Sequence, residues 1–313
     1  MPPSAWRMYL CCSTATRSPA ATSNTSSSAS NDFSSMMFKA IVRAALRGTQ
    51  FFFHLIIGIT LGSGYRLRYG RQWHLTQAGQ DIISWWMQGL THLLGIRITR
   101  YGKPLTSRVM YVANHISFLD IAVIAACVPA RFLSKHSVRY WPVIGYLTAL
   151  SGTLFINRGK RREINQTLTA LKQAMAEPRP VLFFPEGTTT LGTQVLKFHS
   201  GLFQAAIDQA VPVQPLTLHY RREHRADRIA AYIDKDNFLI NLLRLMAQPH
   251  TDVHVSFTPP VDSHGHTRQS LATYCQARIS QNLQFQLHIP GTPAVERGTE
   301  FAILGECEPS DSA

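Results

Sequence analysis

The chain has 313 residues, enough for one large domain or two small ones. It is 45% hydrophobic and only 16% charged; soluble globular proteins carry roughly 25% charge, so this chain is expected to meet lipid. Lys and Arg outnumber Asp and Glu by 31 to 18, which suits anionic partners such as phospholipid headgroups, nucleotides or acidic carrier proteins. Nucleic acid fits poorly, because there is no zinc-finger spacing or basic heptad helix and the cations are scattered between apolar runs. The five cysteines, Cys11, Cys12, Cys127, Cys275 and Cys307, have neither metal-ligand nor disulfide-framework spacing, which points to a reducing compartment.

Residues 1–35 are rich in Ser, Thr and Ala and are expected to be disordered. Their Arg-bearing, acid-poor composition also fits a transit peptide, or a start at Met36 or Met37. From Met36 the pattern changes: Lys39, Arg43 and Arg47 recur every four residues along one helical face. The apolar run 51–64 follows, only about 21 Å long as a helix against a hydrocarbon core of about 30 Å. A helix lying in or dipping into one leaflet is the preferred reading, with Arg43, Arg47, Arg66, Arg68 and Arg71 as headgroup anchors; a buried core helix is the alternative. A second helix is expected at 77–94, where Trp85 and Trp86 suit either an interfacial belt or packing on the following domain.

Beyond this, short apolar strands at 97–101, 109–113, 153–157, 181–185, 213–218 and 253–258 alternate with helical stretches at 118–128, 162–176, 202–210, 237–246 and 269–284. Such alternation predicts an α/β fold, a central mainly parallel or mixed sheet covered by helices and preceded by amphipathic membrane-binding helices. The expected division is a disordered 1–35, a membrane-associated helical region 36–95, a catalytic domain 96–288 and a flexible tail 289–313.

Four pieces sit at strand ends, where α/β proteins build sites. The first, Asn114-His115-Ile116-Ser117-Phe118-Leu119-Asp120, leaves the histidine in a turn and puts the aspartate in the first helical turn, facing back. Asp120 can then fix one imidazole N–H and leave the other nitrogen free to take a proton, or it can simply complete a capping box with Ser117. The second, Gly152-Thr153-Leu154-Phe155-Ile156-Asn157-Arg158, ends in an arginine able to grip a phosphate; Lys160, Arg161 and Arg162 behind it read equally as a solvated helix start. The third is Phe184-Pro185-Glu186-Gly187-Thr188-Thr189-Thr190: its glutamate can hold a substrate hydroxyl or backbone amides, or stand solvated in a turn. The fourth, Val211-Pro212-Val213-Gln214-Pro215, suits an edge strand or a channel wall.

In this order the four pieces resemble the glycerolipid acyltransferase family, which includes 1-acyl-glycerol-3-phosphate acyltransferases: Asn-His-x4-Asp, Gly-x-x-Phe-Ile-x-Arg, Phe-Pro-Glu-Gly-Thr and Val-Pro-x-x-Pro. The resemblance covers residues 101–218. It implies that His115 is a general base oriented by Asp120. Asn114, Lys135, Gly152, Phe155, Arg158, Glu186, Gly187, Thr188 and Thr189 would form the substrate-binding set, with Arg158 and Glu186 on the headgroup and glycerol, Lys135 on phosphate and Gly187 shaping the turn. It implies no metal or cofactor beyond an acyl-CoA or acyl-carrier protein co-substrate, a lysophospholipid acceptor, membrane phospholipids as partners, and a place on the cytoplasmic face of a membrane, the inner one if bacterial. The expected acceptor is 1-acyl-sn-glycerol-3-phosphate. Thr189 departs from the pattern, since phosphatidate-forming members usually carry arginine there; this opens lyso-ornithine lipid or lysophosphatidylethanolamine and lysophosphatidylcholine as alternatives. A catalytically silent membrane-binding protein and a water-using thioesterase are the rival readings.

Overall fold

Strands that are apolar at every position need cover on both faces, and the computed structural model places such strands at the centre of one sheet. It describes residues 25–288, apart from 107, 157–160, 223–224 and 234–235. The helices α1 (Thr25–Tyr69) and α2 (Gln77–Leu93) come first. Then follow β1 (Ile96–Tyr101), β2 (Met110–Ala113), α3 (Leu119–Cys127), β3 (Arg131–Lys135), α4 (Ile144–Leu150), β4 (Leu154–Ile156), α5 (Arg161–Ala176) and β5 (Val181–Phe183). The chain continues through α6 (Gln204–Asp208), β6 (Val213–Arg222), β7 (Arg225–Ala226), α7 (Phe238–Ala247), β8 (Thr251–Phe257) and α8 (Arg268–His288). The sheet order is β1-β8-β6-β2-β5-β3-β4, with β7 paired to β6. Strands β6, β2, β5, β3 and β4 run parallel, whereas β8 is antiparallel to β6 and carries β1 alongside it, so the expected mixed sheet is present.

Alternate strand residues point to opposite faces, and the two cores divide accordingly. Tyr111, Ala113, Leu182, Leu216, Leu218 and Tyr220 join a core closed by α3 and α7. Met110, Val112, Val181, Phe183 and Val213 join a second one with α5, α6 and α8. The strands expected from periodicity are all present, with β6 running on to Arg222. By contrast, β3 and α4 have no periodic signal: β3 carries Arg131, Ser134 and Lys135 within its few residues, and α4 is too short to show a helical repeat.

The N-terminal expectation needs correction. The basic stretch and the apolar run are not two short pieces but parts of the single helix α1, which begins at Thr25, inside the segment expected to be disordered. Its portion Ser34–Tyr69, 36 residues, is long and apolar enough to cross a membrane. At 1.5 Å per residue this is about 54 Å, well beyond the hydrocarbon core, because the basic stretch before residue 51 and residues 65–69 are helical as well. The chain divides into two units, Met1–Lys39 and Ala40–Ala313. Within the second, His54 and Trp86 lock α1 to α2: each side chain hydrogen-bonds the other's backbone carbonyl at 3.0 Å, and their rings stack at 4.7 Å. Trp86 is therefore a packing residue, while Trp85 stays exposed. The expected tail 289–313 lies outside the described residues.

Arg179, between α5 and β5, is 2% exposed and donates to the carbonyls of Pro129 (2.6 Å), Ser151 (2.8 Å), Ala130 (3.0 Å) and His74 (3.2 Å). It thereby ties the turn between α1 and α2 to the start of β3 and the end of α4. Substituting Arg179→Met keeps the stem but leaves these carbonyls without their donor; a loss of about 3 kcal/mol is expected, read as a lower melting temperature in detergent. An unchanged melting temperature would show that the clamp contributes nothing. The imidazoles of His74, His219 and His254 are each pulled down to about 4, first by burial and then by neighbouring charge, from Arg131 and Arg179 at His74, His254 and Arg221 at His219, and Arg221 at His254. Unfolding returns them to about 6.5. The unfolded chain then binds more protons, so stability is lost as pH falls from about 6.5 toward 4. A melting temperature that declines through this window is expected, and a flat profile contradicts it.

Candidate active site

The parallel strands β2, β5, β3 and β4 end at one edge of the sheet, which brings three of the four sequence pieces together. His115 leaves the end of β2, and Asp120 sits in the first turn of α3. The His115 Nδ1 lies 2.7 Å from Asp120 Oδ2. A carboxylate only accepts, so Nδ1 carries the hydrogen and Nε2 is left with its lone pair. Three further donors meet the same carboxylate: the amides of Ile116 (2.7 Å) and Ser117 (3.0 Å) on Oδ2, and the Tyr220 hydroxyl (2.8 Å) on Oδ1. The Asp120 side chain is fully buried, while that of His115 keeps 21% exposure.

Both readings of Asp120 are thus partly met: it takes the Ser117 amide as a capping residue does, and it orients the imidazole. Ser117 itself caps nothing, for its buried hydroxyl makes no hydrogen bond and the helix N-cap is Phe118. The imidazole lies flat on Phe184, rings 4.0 Å apart and 12° from parallel, so its plane is fixed from the β5 side as well.

Glu186 follows β5 and is 4% exposed. Its two oxygens accept from the amides of His115 and Leu196, each at 2.9 Å. Burial pushes its carboxyl above the ordinary carboxylate range, against the pull of those two hydrogen bonds. Gly187 takes φ +74° in the turn beyond, and the Thr190 amide returns to the His115 carbonyl at 2.9 Å. The His115 backbone is therefore held on both sides by the Glu186–Thr190 turn.

His115, Glu186, Gly187, Thr188, Thr189 and the exposed end of β3, Lys135, line one cavity of about 1260 Å³. The rest of its wall is mostly apolar and comes largely from α1, α2, α3 and α4, including Leu55, Leu61, Ile83, Met87 and Leu147, with Phe238 and Leu242 of α7. Three residues of the expected substrate-binding set are not on this wall. Asn114 is fully buried, and its amide both donates to and accepts from the Leu218 backbone (2.9 and 2.8 Å), stitching β2 to β6. Gly152 has φ +80°, and a Cβ there would come within 2.5 Å of the His74 ring, so it is a packing turn. Phe155 lies off the cavity wall under the Arg139 guanidinium, 5.7 Å from the ring centre. Arg158 lies outside the described residues.

The site also contains Tyr220, which the motif reading omits because it stops the strand at 218. The signal is present: Leu216, Leu218 and Tyr220 share one face of β6, and burial together with Asp120 raises the phenol well above its usual range.

Comparison with known proteins agrees with this geometry. Residues 96–219 match the Acyltransferase family model. A lyso-ornithine lipid O-acyltransferase of Pseudomonas aeruginosa is 35% identical over 243 residues, 77% of this chain and 93% of that one. Its counterpart in Rhodobacter capsulatus is 32% identical, covering 77% and 90%. A 1-acyl-sn-glycerol-3-phosphate acyltransferase of Neisseria gonorrhoeae is 36% identical over a shorter 130 residues, 42% and 51% of the two chains. The fold matches that of the 1-acyl-sn-glycerophosphate (LPA) acyltransferase PlsC from Thermotoga maritima with a TM-score of 0.60, over 82% of this chain and all of that one, at 17% identity. With the His115–Asp120 pair at the lip of an apolar cavity and relatives matched over most of their length, the chain belongs to the acyltransferase family and is an O-acyltransferase.

Proposed function

We propose that the enzyme transfers a fatty acyl group from acyl-CoA or acyl-carrier protein to the free hydroxyl of lyso-ornithine lipid, at the cytoplasmic face of a membrane that holds α1. The observation that carries the chemistry is the His115–Asp120 pair opening onto a cavity whose walls are apolar and whose rim bears Lys135, Thr188 and Thr189. His115 Nε2 takes the acceptor hydroxyl proton as that oxygen attacks the thioester carbonyl. The tetrahedral oxyanion then expels the thiolate, which recovers the proton from the imidazolium. Asp120 keeps the correct nitrogen free and stabilises the transient imidazolium.

The acceptor follows from the relatives and from Thr189. The two matched over 90% of their length or more are named for lyso-ornithine lipid. An ornithine headgroup pairs an ammonium with a carboxylate and bears no phosphate, so it does not call for a cation where this chain has Thr189. A second reading, 1-acyl-sn-glycerol-3-phosphate as acceptor, is favoured by the Neisseria relative and by Lys135 on the cavity wall. Net positive charge suits either acidic donor.

Thiol release from an acyl thioester, measured with lyso-ornithine lipid, 1-acyl-sn-glycerol-3-phosphate, lysophosphatidylethanolamine, lysophosphatidylcholine or none, tests the proposal. Release that depends on lyso-ornithine lipid is expected. Preference for the phosphate monoester moves the assignment to the second reading, and equal release without any acceptor makes the enzyme a hydrolase. Against the preferred acceptor, His115→Ala should lose at least ~10²-fold in kcat. Tyr220→Phe removes one hydrogen bond to the Asp120 carboxylate and should lower kcat by about tenfold with KM little changed. Full activity in His115→Ala would overturn the base assignment.

A further inference from the structure

A surface helix ordinarily turns one apolar stripe to the core and a polar face to water. Helix α7 breaks that rule on its outer side. Asn237 caps its start by accepting from the amides of Leu239 and Ile240. Asn241, Leu242, Leu245 and Met246 are buried, which accounts for the inward stripe. The outward positions are Leu239, Ile240, Leu243 and Arg244, and the three aliphatics among them are 65%, 50% and 56% exposed. A helix that is apolar nearly all round is ordinarily enclosed, and this one is not.

What covers it is indicated by its neighbour. The last carbonyls of α7 and the residues after it are held by two arginines of α1: Arg43 donates to Ala247 (2.7 Å), and Arg47 donates to Gln248 (2.6 Å), Pro249 (3.0 Å) and Met246 (3.2 Å). Cations suit the C-terminal end of a helix. They also join α7 to the one described helix that is long and apolar enough to cross a membrane, whose own Leu46, Phe52 and Phe53 are about as exposed as Leu239.

We propose that α7 is a second lipid-contacting element, its Leu239, Ile240 and Leu243 entering the interfacial layer of the bilayer beside α1 while Arg244 meets the headgroups. This rests on the reading of α1 as a membrane helix. A lipid surface fits better than an acidic carrier protein, which would call for several cations on this face where there is one. The arrangement also bears on substrate entry: Phe238, the first residue of α7, packs edge-on against Phe118 and Trp141 (centroids 4.8 and 5.4 Å), and all three line the catalytic cavity. The helix that touches lipid is thus also part of the cavity wall.

The test uses the full chain reconstituted into vesicles of three parts phosphatidylethanolamine to one part phosphatidylglycerol. A nitrobenzoxadiazole dye is placed at Leu243→Cys, at Phe53→Cys on α1, and at Gln281→Cys on the exposed side of α8, with the labelled unsubstituted chain giving the background from native thiols. Blue-shifted emission quenched by spin-labelled lipid is expected at Leu243, and water-like emission at Gln281. Lipid quenching at Phe53 with water-like emission at Leu243 overturns this proposal and leaves the α1 reading standing. Water-like emission at both positions overturns the two together. Blue-shifted emission at Leu243 that spin-labelled lipid does not quench assigns the face to a second copy or another protein, and also overturns it.

Discussion

A carboxylate withdrawn from water costs free energy unless donors replace the water it loses. Asp120 has four: two backbone amides, one phenol and the His115 ring. The amides and the phenol come from different constraints. The amides exist because the turn between β2 and α3 is tight enough to aim them inward. The phenol is there because β6 runs beside β2 in a register that brings Tyr220 over the turn. With three partners supplied by the fold, the carboxylate has one geometry left, and the imidazole must meet it there. The base is therefore set by the sheet, not by the flexibility of its own side chain.

The opposite side of the imidazole is built on the same logic from β5. Glu186 spends both oxygens on backbone amides, one of them that of His115 itself, and Phe184 lies flat against the ring. The glutamate of the Phe-Pro-Glu-Gly turn is thus first a brace for the base, in a cavity it also lines. This arrangement concentrates polar order at one end of a cavity whose remaining walls come from apolar helices, so a hydrocarbon chain and a proton transfer can share one space. Arg179 holds those walls in place through carbonyl oxygens supplied by three separate segments.

Much of this is legible in the sequence. Strands such as 109–113 and 181–185 are apolar at every position, which is what burial on both faces requires, and the His115–Asp120 spacing survives as a contact because only a turn and half a helical turn separate the two. The N-terminal helix is longer than its apolar run implies, because helical hydrogen bonding continues through the flanking basic residues. Asn114, Gly152 and Phe155 belong to the motifs, but their amide, turn and ring are spent on β6, His74 and Arg139. Nearness in sequence does not say which side of a strand end a side chain takes.

Local features are written in the chain: apolar periodicity, the turn that brings an aspartate back to a histidine, and the cationic, charge-poor composition suited to a lipid boundary. Non-local contacts arise with the folded sheet. Tyr220 reaches Asp120 across 100 residues of chain, the Glu186 carboxylate reaches the His115 amide across 71, and Arg43 and Arg47 reach the end of α7 across about 200. Such contacts depend on strand order and register, and these are settled when the two cores are filled together, a condition that no single segment carries in its own pattern.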